Sequence, residues 1–189
     1  MKHQVSEAAH SGAVWSGAEP YSEFMTETDT VDLTRSARWL TADEQRAWRA
    51  LAAVLVKLPA ALDAQLQRDA GISHFEYMVL AGLSEAPNRT LRMSDLAVFA
   101  SGSLSRLSHV VTRLEQRGWV RRERCPGDGR ATNAVLTDSG WEKVVASAPG
   151  HVETVRQLVI DPLTRTQLGN LREIGRRINN RIDPDGALV

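Results

Sequence analysis

The chain has 189 residues, 42% hydrophobic and 24% charged, with a formal net charge of zero. That is ordinary globular composition, long enough for one sizeable core and short for two large domains. It shows no run of roughly 18 apolar residues, which argues against a membrane protein, and Cys125 alone cannot build a disulfide framework or a Cys-based zinc cluster.

In chain order, residues 1–38 mix Ser, Thr, Gly and acids with few periodic apolar positions. They read as a flexible N-terminal arm. The opening residues lack an apolar stretch, so no secretory signal is expected and a cytoplasmic location is the default. Thr41-Ala-Asp-Glu44 forms a capping box. Apolar residues at Trp48, Leu51, Leu55, Leu58, Leu62 and Leu66 then follow at helical spacing. Pro59 should kink this helix and Gly71 should end it. Ser73 with Glu76 opens a second helix, which stops at Glu85-Ala-Pro-Asn88.

A short helix over Ser94–Ala100, a turn at Ser101-Gly-Ser103 and a helix over Leu104–Arg117 follow. The last has an apolar stripe of Leu104, Leu107, Val111 and Leu114, with Val110 alongside. Its other face carries Ser105, Arg106, Ser108, His109, Thr112 and Arg113. This is the helix-turn-helix pattern. Trp119–Cys125 and Arg130–Leu136 flank a Pro-Gly-Asp-Gly turn and read as a β-hairpin, the wing. Residues 89–130 hold nine arginines and four acids, a local charge of +5, while the rest of the chain carries −5. A basic patch of this kind suits an anionic partner, most commonly nucleic acid.

After the wing, a helix carries Trp141, Val144, Val145, Val152 and Val155, with a bend or break expected at Pro149-Gly150. A third capping box, Thr164-Arg-Thr-Gln167, starts the final helix of Leu168, Leu171, Ile174, Ile178 and Ile182. The fold class read from this order is mainly α. It is a winged helix-turn-helix over residues 73–140, with N- and C-terminal dimerisation helices over 39–72 and 141–183 and a small β-hairpin wing.

Three stretches resemble the MarR family of bacterial transcriptional regulators. They are Leu114-Glu-Gln-Arg-Gly-Trp-Val120 before the wing, Asp128-Gly-Arg130 at its tip, and Leu136-Thr-Asp-Ser-Gly140 after it. The resemblance covers roughly residues 40–183. The chain departs from many members in having Gly129, not a basic residue, between Asp128 and Arg130.

The resemblance implies a homodimer that binds double-stranded DNA at a pseudo-palindromic operator and acts as a repressor. It implies release by a small phenolic or anionic effector. It gives Arg130 a minor-groove role, with Asp128 holding it. Candidate DNA-binding residues are Ser103, Ser105, Arg106, Ser108, His109, Thr112, Arg113, Arg122 and Arg124, with Asp128 and Arg130. Arg121, Arg122 and Arg124 cannot share one strand face, so one should turn to an acid such as Glu123 or Asp128. Candidate effector-wall residues are Trp48, His74, Phe75, Tyr77 and Met78, each of which also fits an ordinary core.

Two other readings stand beside this one: a winged-helix protein-interaction module, and a redox-responsive regulator acting through Cys125. No catalytic motif is present, since G-x-S-x-G, H-E-x-x-H and phosphate-binding glycine loops are all missing. His74, His109 and His151 are scattered, so no metal and no cofactor are expected.

Overall fold

The computed structural model describes residues 38–125 and 128–184, with the backbone alone for residues 128–130. The N-terminal arm and the turn at Pro126-Gly127 therefore lie outside the described residues. The chain divides into two units, residues 1–52 and 53–189.

Helix α1 (Ala42–Ala70) begins on the capping box expected at Thr41. The Glu44 amide donates to Thr41 Oγ1 at 3.3 Å, and the Thr41 amide donates to Glu44 Oε2 at 2.7 Å. Gly71 ends the helix at φ +64°, the left-handed conformation that suits glycine, and Ile72 donates back to the Leu66 carbonyl. Helix α2 (His74–Glu85) opens on the reciprocal Ser73/Glu76 box. Asn88 and Arg89 then turn the chain through positive φ into strand β1 (Thr90–Arg92).

Helix α3 (Met93–Phe99) and helix α4 (Leu104–Gln116) are the two arms of the helix-turn-helix. Ser103 caps α4 by accepting from the Arg106 amide, and Gly118 closes it at φ +71°. Strands β2 (Val120–Cys125) and β3 (Asp128–Leu136) form the wing, with an irregularity at Arg124/Cys125. Helix α5 (Asp138–Val155) starts on Thr137, passes into a π-helical turn (Arg156–Ile160), and is followed by α6 (Arg165–Ile182) on the Thr164/Gln167 box.

The core sits where α2, α3 and α4 meet the sheet. Leu66, Ile72, Val79, Leu80, Leu83, Leu96, Leu107, Val111 and Leu114 are its fully buried side chains.

Four expectations need correction. The wing is not a lone hairpin, because β1 adds a third antiparallel strand in the order β1-β3-β2, with Leu91 opposite Ala134. Helix α5 is not broken at Pro149-Gly150 but runs on to Val155. Proline withholds one N–H from the carbonyl four residues back. For Pro149 that residue is Val145, and for Pro59 it is Leu55, and in both places the helix continues past the one missing bond. Leu104 is not part of the buried stripe of α4, being 55% exposed.

The last correction concerns the apolar runs. α1 contains an 18-residue window of mean hydropathy 1.2, which is long and apolar enough to cross a membrane by those two measures. Trp48, Leu51, Val54, Leu55 and Val56 on this helix are exposed, and only Leu62, Gln65 and Leu66 are buried. α6 buries no residue and exposes Leu171, Ile174, Ile178 and Ile182 on one helical face.

Candidate nucleic-acid interface

Helix α4 buries Leu107, Val110, Val111 and Leu114 and so turns its remaining positions to solvent. Ser105, Arg106, Ser108, His109, Thr112 and Arg113 are all exposed, with Ser103 just ahead of them. The sequence-predicted polar face therefore exists as one face. Thr112 Oγ1 donates to the Ser108 carbonyl at 3.0 Å, so its hydroxyl hydrogen is committed within the helix. Arg113 Nε donates to Glu76 Oε1 at 3.3 Å, anchoring its stem while about half of the side chain stays exposed.

Glu76 is almost fully buried. Burial alone raises its pKa, but the Ser73 amide and hydroxyl, with Arg113 and Arg117, outweigh that and hold it below the usual carboxylate range. An ionised Glu76 thus ties α4 to the start of α2.

The wing arginines divide as strand alternation requires. Arg121 pairs with Glu123 on one face. Arg122 lies on the other and turns back onto α4, where it pairs with Glu115. The expected pairing of one wing arginine with Glu123 is thus found at Arg121, while Arg122 takes Glu115. Arg124 is exposed near the wing tip, and Cys125 is half-buried beside it. The side chains of Asp128 and Arg130 lie outside the described residues.

Beside α4 is a cavity of about 1060 Å³. His74, Phe75 and Met78 of the predicted effector wall line it, with Phe99, Arg106 and Arg113 among the other walls. Trp48 and Tyr77 do not line it. Trp48 is half-exposed in residues 1–52, whereas Tyr77 is buried and packs its ring 4.4 Å from that of His151. The Arg106 guanidinium lies over the Phe75 ring at 4.1 Å, so one cation borders both the cavity and the outward face of α4.

Sequence reasoning missed Asp63, whose carboxylate accepts from the His74 amide at 2.7 Å. It also missed Glu115 as an anchor. A glutamate one turn from Thr112 was legible, but its strand partner was not.

The His74 and His151 rings lie 5.8 Å apart between centroids, tilted by 33°. Burial lowers the pKa of both. Asp63 opposes that at His74, while the neighbouring His74 reinforces it at His151. His151 Nδ1 is buried without a hydrogen-bond partner. The folded chain therefore holds fewer protons here than the unfolded chain once the pH drops below about 6.5, the ordinary imidazole value. Stability is full above that pH and falls on acidification. The melting temperature should decline as the pH falls through about 6.5, and less steeply in His151→Gln. Equal slopes in thermal melts would remove His151 from the acid response. Among the described residues no group of three or more His, Cys, Asp or Glu could hold a metal ion.

A family model described as the MarR family matches residues 72–132. The transcriptional repressor MprA of Escherichia coli is 27% identical over 122 residues, which is 63% of this chain and 69% of the repressor. A MarR family transcriptional regulator from Streptomyces coelicolor, solved in complex with DNA, is 50% identical. The match covers 79% of this chain and 93% of that one, with a TM-score of 0.76. AbsC, a MarR family transcriptional regulator from the same organism, is 40% identical over 79% of this chain and 100% of its own, with a TM-score of 0.74.

Proposed function

This chain belongs to the MarR family of transcriptional regulators, and on that footing we propose that it is a homodimeric repressor. It reads a pseudo-palindromic DNA operator and is released by a small anionic or phenolic effector. A single observation carries the DNA half: the serine, arginine, histidine and threonine row on the solvent face of α4, beside an arginine-rich wing. A major groove about 12 Å wide admits one helix, and the solved DNA complex of the 50% identical relative supports the same partner here. A polar, basic face suits DNA better than the apolar patch that a protein-interaction module needs. A cytoplasmic location follows from that partner.

In this reading Ser103, Ser105, Arg106, Ser108, His109 and Thr112 face the groove and Arg113 reaches the backbone. The wing brings Arg124 to the phosphates and Arg130, held by Asp128, to the minor groove. The unpartnered apolar faces of α1 and α6 meet their copies in the dimer. The two-fold axis then sets two half-sites about one helical turn apart. Release follows from shared cations. Arg106, His109 and Arg113 border the cavity as well as the DNA face, so an anionic occupant and a phosphate backbone compete for them.

Selection of duplexes from a random-sequence pool at moderate salt tests the reading. A recovered pseudo-palindrome supports it. Recovery of salt-sensitive, sequence-blind binding alone would sink the operator. Arg106→Ala should cost about 1–3 kcal/mol on the selected site and relax preference at one base position. An equal loss on every sequence would make Arg106 a phosphate contact.

A further inference from the structure

Arg122 lies on the wing strand that enters the DNA-binding region, and a basic wing residue would ordinarily be taken for a phosphate contact. Its surroundings point elsewhere. The Arg122 amide donates to Glu115 Oε1 at 2.8 Å, and its guanidinium Nη1 donates to Glu115 Oε2. Nη2 donates to the Ser108 carbonyl at 2.8 Å and also reaches Ser108 Oγ at 3.3 Å and Thr112 Oγ1 at 3.2 Å. One carboxylate thus receives both the main chain and the side chain of a single strand residue. The guanidinium spans two successive turns of the outward face of α4. Both members are mostly buried, with side-chain exposures of 27% and 30%. With one Nη1–H on Glu115 and both Nη2–H groups on α4, three of the five guanidinium N–H groups are turned to the protein, and the charge is already paired with a carboxylate.

We propose that Arg122 is a positioning residue. With Glu115 it fixes the angle of the wing to α4, and it orients the Ser108 and Thr112 hydroxyls on the DNA face. This rests on the reading of the chain as a DNA-binding protein. Strand β2 begins at Val120, packed in the core, and leaves it after two residues. Among the described residues of β2, Arg122 ties the strand to α4 through both its amide and its guanidinium. Loosening that tie lets the tip swing relative to the helix, so the wing and α4 cannot engage adjacent grooves together.

The test compares Arg122→Gln and Glu115→Gln in the full chain. Both should lower affinity for the selected operator by roughly tenfold, and the double variant should be no worse than either single one, as for a coupled pair. Hydroxyl-radical footprints should lose protection in the flanking minor grooves and keep it in the central major grooves. The acid is the discriminating arm. Removing a carboxylate beside DNA should strengthen binding if Arg122 grips a phosphate, because the guanidinium is set free. Tighter or unchanged binding by Glu115→Gln would overturn the proposal.

Amide hydrogen exchange without DNA gives a second readout. Protection of β2 and β3 should fall in both variants while that of α2 and α3 is kept, which also shows that the variants fold. Unchanged wing protection would overturn the brace. A wild-type chain that selects no duplex would overturn the DNA reading instead, and the exchange comparison would still decide the brace.

Discussion

Gly140→Ala is expected to destabilise the chain by about 3 kcal/mol, near the upper end for overpacking. Gly140 sits in the first turn of α5, and a Cβ there would lie 2.1 Å from the Trp119 carbonyl oxygen and 2.9 Å from its carbon. The obstacle is backbone, and that carbonyl already accepts from the Thr137 amide at 3.0 Å. The junction is further tied by Thr137 Oγ1 and Ser139 Oγ, which both donate to the Gly118 carbonyl, at 2.7 and 2.8 Å. No rotamer change relieves the clash, so the start of α5 has to move away from the end of α4. Urea unfolding measures the loss. Ser139→Ala is the reference: it removes one hydrogen bond and should cost only about 1 kcal/mol. If Gly140→Ala melts no earlier than Ser139→Ala, the close approach at Trp119 has no energetic weight.

Ile178→Asp is expected to convert the proposed dimer to monomers and to weaken binding to the proposed operator at least a hundredfold, the scale on which joined binding units gain over separate ones. Leu171, Ile174, Ile178 and Ile182 recur at three- and four-residue steps and stay exposed in the single chain. Ile178 is the least exposed of the four, at 38%, and a carboxylate there would lose its water when the face is covered. Arg177→Ala is the contrast. That side chain is 75% exposed and pairs with Glu173, and such surface pairs contribute little. Sedimentation equilibrium and operator titration read both variants. A dimeric Ile178→Asp protein would exclude this face of α6 as the interface.

Much of this architecture was legible because its signals are local. Capping boxes at Thr41, Ser73 and Thr164 mark helix starts where they were read, and the stripe of Leu107, Val111 and Leu114 fixes which face of α4 turns outward. What escaped reading depends on partners distant in sequence. Strand β1 has three residues, too few for a period, and exists because Thr90, Leu91 and Arg92 pair with Val135, Ala134 and Asn133. Arg122 looked like any wing arginine until Glu115 stood opposite it. Pro149-Gly150 reads as a bend or a break, yet the helix runs through it unbroken to Val155.

Among the described residues, the order β1-β3-β2 gives each outer strand a neighbouring strand on one side only, and such edges invite other chains to add strands, although the Arg122 amide of β2 is already taken by Glu115 Oε1. β1 gives that template only three residues. β2 is longer, but Arg121, Arg122, Glu123 and Arg124 load it with charge, and the irregularity at Arg124/Cys125 spoils its register. A second wing laid along it would set arginine near arginine. The charges that suit this hairpin to a polyanion thus also guard it against aggregation. Neutralising variants made to probe DNA contacts in β2 should therefore be watched for loss of solubility as well as loss of affinity.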